Sequence, residues 1–304
     1  MKKVFLKMKN QNRFHFVINL VVITLFTICT YSCSKDDDGG KQPVIADEIS
    51  EEIKELIFYK GDEKASTVLI NVQGGPAPVL DEDTVDWLIE TFNTTGILTV
   101  TVHQAQTKNS NLLLGNEITL NEAASFNTES IEILYKTIKY FKDEGRTVYV
   151  VGASFGAFIT QELIAQKGID VADKFLIISG RLDINEVFWQ GLADGRNAEF
   201  ENGVTPVVAP EPFDNVFNRN EARLFAAIVK NRYTQEFNAI ESLSNLTYIY
   251  GETDEAVGSL TAVEVAFLES KNANILSGSG GHDEPFEDFI EQGFSEAFDI
   301  EALQ

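Results

Sequence analysis

The stretch Thr147-Val148-Tyr149-Val150-Val151-Gly152-Ala153-Ser154-Phe155-Gly156-Ala157 limits what this chain can fold into more than any other. A β-branched run leads directly into a G-x-S-x-G turn. A helical pattern follows at once, from Phe155 to Lys167, and stops at Gly168. A serine on so tight a strand-to-helix turn must take a strained backbone conformation. Glycines two residues to either side remove the Cβ atoms that would otherwise collide across it. The turn lifts the hydroxyl clear of the sheet edge, and the new helix aims its first free N–H groups at the same spot. Such a place suits a nucleophile that attacks a carbonyl beside donors for the resulting oxyanion.

The surroundings repeat the strand-helix theme. Ile57-Phe58-Tyr59 and Thr67 to Val72 read as strands, and Gln73-Gly74-Gly75-Pro76 ends the second. A helix is expected from Asp83 to Phe92, a strand over Ile97 to Val102, and a helix from Thr128 to Asp143 with Gly145 at its end. Beyond the elbow helix come strands at Phe175–Ser179 and Leu246–Tyr250, then a helix from Thr261 to Leu268. A short strand at Asn274–Leu276 and a last amphipathic helix from Phe286 to Phe294 close the pattern. Alternation with nearly continuous apolar strands predicts an α/β fold with a mainly parallel sheet covered on both faces. Ligands of such sheets bind beyond the carboxyl ends of the strands.

One segment, about 184–244, is far too long for an ordinary connection between strands. It is rich in aromatics, among them Phe188, Trp189, Phe200, Phe213, Phe217, Phe225, Tyr233 and Phe237. A cap folded over the strand ends is the expectation, with most of these rings forming its own packing and some lining an apolar pocket.

The amino terminus reads as a targeting segment. Lys2, Lys3, Lys7, Lys9 and Arg13 precede an apolar run from Phe14 to Tyr31, and Ser32-Cys33 follows. This resembles a bacterial lipoprotein signal over residues 1–32, with Cys33 the lipidated first residue; Thr30 stands where such signals usually carry leucine. Ser34-Lys35-Asp36-Asp37-Asp38 resembles the acidic tag that sends some lipoproteins of Gram-negative bacteria to the cell surface. The alternative is an uncleaved anchor whose apolar run barely spans a bilayer. Either way the expected location is outside the cytoplasm, in the outer membrane for the lipoprotein. Residues 33–50 read as a flexible acidic tether and 51–304 as the folded domain.

Loss of the leader would remove five Lys/Arg and no Asp/Glu, taking the formal net charge from −23 to −28. So acidic a surface repels nucleic acid and anionic lipid head groups. Cys29 would leave with the leader and Cys33 would carry lipid. The mature domain would then have neither a disulfide nor a catalytic or zinc-binding thiol. No phosphate-cradling or dinucleotide-binding glycine pattern is present, so no cofactor is expected.

A serine hydroxyl needs a base, and histidine fits that task near neutral pH. Three are available: His15 in the leader, His103 after a strand, and His282 in the loop Ser277-Gly278-Ser279-Gly280-Gly281-His282-Asp283-Glu284. A loop so poor in side chains can carry an imidazole across the strand ends to Ser154. His103 reads as a pocket-side or structural residue; no neighbouring histidine or cysteine makes it a metal ligand. An acid must orient the imidazole. Asp254, in Tyr250-Gly251-Glu252-Thr253-Asp254-Glu255, stands just past a strand, with Glu252, Glu255 and Asp183 as rivals.

Across 51–304 this arrangement resembles the α/β-hydrolase superfamily. Ser154 matches the nucleophile of its elbow. Asp254 matches the acid in the turn after the seventh strand of the family's count, and His282 the base after the eighth, in the family's order. The resemblance places the expected cap between the sixth and seventh strands. It also implies an oxyanion hole made by the N–H of Phe155 with that of Gly74 or Gly75, in a loop like the H-G-G-P of proline iminopeptidase relatives but with Gln73 for histidine. The implied activity is hydrolysis of an ester or amide carbonyl through an acyl-enzyme, with a carboxylic ester placed ahead of an amide as in an aminopeptidase. A surface lipoprotein that keeps the fold and binds without turnover is the rival reading.

Overall fold

The computed structural model describes residues 48–303. The expected leader, with Cys29, Cys33 and His15, and most of the expected tether lie outside the described residues. Among the described residues no helix is long and apolar enough to cross a membrane.

The strands are β1 (Ile57–Lys60), β2 (Thr67–Val72), β3 (Ile97–Val102), β4 (Thr147–Ala153), β5 (Lys174–Ile178), β6 (Arg196–Glu201), β7 (Thr205–Pro212), β8 (Leu246–Gly251) and β9 (Asn274–Gly278). Seven form one sheet in the order β1-β3-β2-β4-β5-β8-β9. Only the β1–β3 pair is antiparallel. The chain leaves β2 outward to β3, then crosses back to place β4 on the other side of β2. Connections therefore depart in opposite directions from the neighbours β2 and β4, which leaves a crevice beyond their carboxyl ends.

Both faces of the sheet are dry, which explains why the strands read as unbroken apolar runs. Val150, Ile177 and Tyr248 point into one core, with the Leu120–Asp143 and Phe155–Lys167 helices. Their neighbours Val151, Leu176, Ile178 and Ile249 point into the other, with the Asp83–Thr91 and Ile290–Phe298 helices. This is the two-residue period of a strand covered on both sides. In the second core Phe92 stacks on Phe294 at 4.1 Å and Tyr149 on Phe298 at 5.0 Å.

Two helices differ from expectation. The helix expected from Thr128 begins at Leu120, because Thr119 and Glu122 form a reciprocal cap: Glu122 N–H donates to Thr119 Oγ1 (3.2 Å) and Thr119 N–H to Glu122 Oε2 (2.7 Å). The helix expected over Phe286–Phe294 is instead a turn at Glu284–Glu287 followed by Ile290–Phe298. The register is set by Phe294 and Phe298, which are buried on the sheet, and the helix ends at Asp299 in the left-handed region (φ 60°).

Residues 183–244 fold as an insertion with the helix Glu186–Ala193, the β6–β7 hairpin and the helix Val216–Val229. The insertion follows β5 and precedes β8, the fifth and sixth strands of the described sheet. The expectation of a place between the sixth and seventh used the resembled family's count, and no strand precedes β1 among the described residues. The hairpin turns through Asn202-Gly203-Val204; Asn202 and Gly203 both have positive φ (52° and 70°), and Val204 N–H closes on the Glu201 carbonyl at 3.2 Å. Four of the insertion's aromatic rings pack against one another in two pairs. Phe188 stacks on Phe200 at 4.6 Å, and Tyr233 meets Phe237 at 5.7 Å, all four buried.

Candidate active site

β4 ends at Ala153, and Ser154 makes the turn into the helix Phe155–Lys167 with φ 53° and ψ −117°. A non-glycine residue there stores about 1–3 kcal/mol of strain, which the packing on either side must overcome. A Cβ on Gly152 would strike Thr160 Oγ1 and the Gly156 carbonyl. One on Gly156 would strike the carbonyls of Val72 and Gln73. The two glycines of the motif thus let the new helix lie against β4 and against the end of β2. Ser154 N–H donates to the Ile178 carbonyl at 2.9 Å, tying the turn to β5.

His282 reaches this point from the loop after β9. Its Nε2 lies 3.0 Å from Ser154 Oγ and its Nδ1 2.8 Å from Asp254 Oδ2. The loop can come so near because Gly251 has no side chain; a Cβ there would strike the carbonyls of Gly280 and Gly281. Glu252 N–H donates to the Gly278 carbonyl (2.8 Å) and Thr253 N–H to that of Gly280 (2.9 Å), so the acid turn and the histidine loop are laced together. Ser179, itself at φ 50°, donates its hydroxyl to the His282 carbonyl at 2.9 Å.

Asp254 is 1% exposed, and its two oxygens divide the work. Oδ1 accepts the N–H groups of Ala256 (2.8 Å) and Val257 (2.9 Å), while Oδ2 faces the imidazole. The rivals are engaged elsewhere. Glu252 accepts from Ser277 Oγ (3.2 Å), Glu255 from the His282 N–H (3.3 Å), and Asp183 from the Arg232 guanidinium (3.1 Å). Burial pulls the His282 pKa down, but the hydrogen bond and charge of Asp254, with the charges of Asp283 and Glu255, outweigh it and leave it raised.

The loop after β2 lies against the serine: a Cβ on Gly74 would sit 3.4 Å from Ser154 Cβ and from the Ala153 carbonyl. Gly75 has φ 135°, and a side chain there would strike Ala77 N. Gln73 holds this loop in shape from inside. Its Nε2 donates to the Val79 carbonyl (3.1 Å) and its Oε1 accepts from Asp81 N–H (2.8 Å). Gln104 Nε2 in turn holds the Gln73 carbonyl at 2.8 Å, and Gln106 holds Gln104 Oε1. Phe155 opens the elbow helix, so its N–H has no carbonyl a turn behind it.

His103 is not drawn into this cluster. Its Nδ1 pairs with Thr107 Oγ1 at 3.0 Å, and its pKa is lowered by burial and by the Lys108 charge. Among the described residues no group of His, Cys, Asp and Glu is arranged to hold a metal ion. Sequence reading passed over Ser179, Gln104 and the stapling role of Gln73. Only the last had a visible cue, as the polar residue heading the double-glycine loop.

No protein-family model matches this chain. No curated protein matches it either. Solved structures do. MGS-M2, an α/β-hydrolase enzyme from a Medee basin deep-sea metagenome library, aligns with a TM-score of 0.53 at 13% identity, over 79% of this chain and 92% of that one. The peroxisomal α/β-hydrolase Lpx1 of Saccharomyces cerevisiae aligns with a TM-score of 0.51 at 10% identity, over 79% of each chain. At such identities the likeness concerns the fold alone. The chain has the α/β-hydrolase fold.

Proposed function

We propose that this protein is a serine hydrolase that cleaves a carboxylic ester through an acyl-enzyme. The observation that carries the reading is the row Ser154 Oγ, His282 and Asp254, joined by separations of 3.0 and 2.8 Å, with the carboxylate sealed from water. His282 takes the serine proton as Oγ adds to the carbonyl carbon, then returns it to the departing alcohol. Asp254 holds Nδ1 protonated, which leaves Nε2 free to accept, and it stabilises the imidazolium that forms. The N–H of Phe155 and that of Gly74 or Gly75 receive the oxyanion, each donor contributing about 3–4 kcal/mol to the transition state. Water, activated by the same imidazole, then releases the acid.

Two further parts belong to this proposal. The insertion acts as a cap, since Phe225 presses on Phe155 and Phe158 beside the nucleophile. Cys33 carries lipid that anchors the domain outside the cytoplasm, a reading supported by the basic start and apolar run before it.

One experiment tests both parts of the proposal. A fluorophosphonate probe applied to cells expressing the full chain is expected to label it in the membrane fraction. Ser154→Ala should abolish the label, and Cys33→Ala should move the labelled band to the soluble fraction. A folded wild-type chain that takes no label would leave only a binding protein on a hydrolase fold. A label that stays in the membrane fraction after Cys33→Ala would remove the lipid anchor.

A further inference from the structure

The Val216–Val229 helix of the insertion lies beside the elbow helix and runs the same way. The Phe225 ring is 6.1 Å from that of Phe155 and 5.4 Å from that of Phe158. Further along, Asn231 Nδ2 donates to Glu162 at 2.7 Å. Later residues meet later residues, so the turns before Phe225 continue past the start of the elbow helix. That is where Ser154 stands and where the strands end.

Glu221 is four residues before Phe225, about 6 Å along the axis and on nearly the same face. Its side chain is half-buried, and among the described residues no hydrogen bond or ion pair reaches its carboxylate. The cations of this helix are turned the other way, Arg219 and Arg223 both pairing with Glu117. Burial without a compensating partner pushes the Glu221 carboxyl up to about 7.

Two buried amide oxygens nearby in the fold also lack donors among the described residues. Asn127 Nδ2 donates to the Leu224 carbonyl at 2.9 Å, yet its Oδ1 is buried with no donor. Gln106 Oε1, behind the glutamines that hold the Gln73 loop, is buried with none either. The half-buried Glu221 carboxylate thus has no cation beside it among the described residues, and the helix register carries its turn toward the start of the elbow helix. Native proteins seldom leave such groups without partners.

We propose that Glu221 is a specificity-determining residue that receives an ammonium group carried by the substrate close to its scissile carbonyl, as in an amino-acid ester or amide. This rests on the hydrolase reading above. A bound ammonium supplies the missing positive charge and up to three N–H donors, and it favours the ionised carboxylate. The net charge of −23 draws the same class of molecule toward the surface.

Methyl alaninate and methyl 2-methylpropanoate differ by an ammonium in place of a methyl group, so their kcat/KM ratio isolates the contact. The wild type is expected to prefer alaninate, and Glu221→Gln to cut that ratio by about 10- to 150-fold, the span of a hydrogen bond to a charged group. Glu221→Asp should keep part of it. A choline ester against its 3,3-dimethylbutyl analogue repeats the test with the cation on the alcohol side; a Glu221-dependent preference in either pair upholds the proposal. In the unaltered protein, propylammonium should inhibit competitively at lower concentration than propan-1-ol. Ratios that Glu221→Gln leaves within about twofold, or equal inhibition by amine and alcohol, would overturn the role of Glu221 while leaving the hydrolase intact. Failure of the wild type to hydrolyse any of the four esters would instead overturn the hydrolase reading and this one with it.

Discussion

The two sides of the site are built differently. On the β8–β9 side Asp254 has both oxygens occupied, the His282 carbonyl is held by Ser179, and its N–H is held by Glu255. On the insertion side the Glu221 carboxylate has no hydrogen-bond or ion-pair partner among the described residues, and burial raises its pKa to about 7. A saturated wall fixes geometry in advance, so little reorganisation is left for the moment of reaction. An unsaturated wall has its partners still to come, and a substrate is the molecule that can bring them. Chemistry assigned to one side and recognition to the other is the reading this contrast supports. Substitutions on the saturated side should therefore lower turnover with little effect on which ester is preferred.

The largest effect on that side is expected from Asp254→Asn. The amide keeps the volume, and its oxygen can still accept from Ala256 and Val257. Its NH2 then faces His282 Nδ1 and selects the tautomer whose Nε2 carries the proton. That imidazole cannot take the proton of Ser154. Turnover should fall about 10³- to 10⁴-fold, with KM and the preference between charged and neutral esters nearly kept. Steady-state kinetics on the ester pair, with circular dichroism to check the fold, decides it. A loss below about tenfold would mean that Asp254 is not the orienting acid.

How much of this contrast is legible in sequence depends on whether the signal is local. The elbow is local: strand, two glycines and helix are adjacent in the chain, and Gly168 at φ 87° stops the helix where the pattern predicts. The choice of Asp254 over Glu252 and Glu255 is not local. It turns on which carboxylate faces His282, and that depends on how the two loops interlace. The early start of the helix at Leu120 and the β6–β7 hairpin had cues in Thr119–Glu122 and Asn202–Gly203, which are masked when apolar spacing and aromatic content lead the reading. Glu221 had none. In Asn218-Arg219-Asn220-Glu221-Ala222-Arg223 it looks like any solvated face, and only the packing of Phe225 against Phe155 places its turn near the start of the elbow helix.

A smaller effect is expected from Ser179→Ala, which sharpens the contrast because Ser179 is fully buried behind the His282 carbonyl. Its hydroxyl fixes the His282 carbonyl, and through it the loop that carries the imidazole. A neutral hydrogen bond of this kind contributes about 1 kcal/mol. If the loop loosens, kcat should fall about tenfold or less, with the loss shared equally by charged and neutral esters. A merely structural role would lower the melting temperature without touching kcat. A change in ester preference would show that the saturated side also takes part in recognition.

The smallest and most specific effect concerns pH. Only neutral His282 can accept the serine proton, so kcat/KM should be lost as pH falls through the histidine pKa. The raised pKa puts that midpoint above the ordinary 6.5. Burial alone would have put it below, so the position of the limb reports which influence wins. Glu255 adds to the upward shift through its charge, and it faces the His282 N–H without touching the ring nitrogens. Glu255→Gln should therefore slide the acid limb to lower pH while leaving the plateau close to the wild-type value. Glu221→Gln, on the unsaturated side, should leave the limb for neutral esters where it is. A limb below 6.5 in the wild type, or one that ignores Glu255, would mean that the β8–β9 wall does not set the proton affinity of His282.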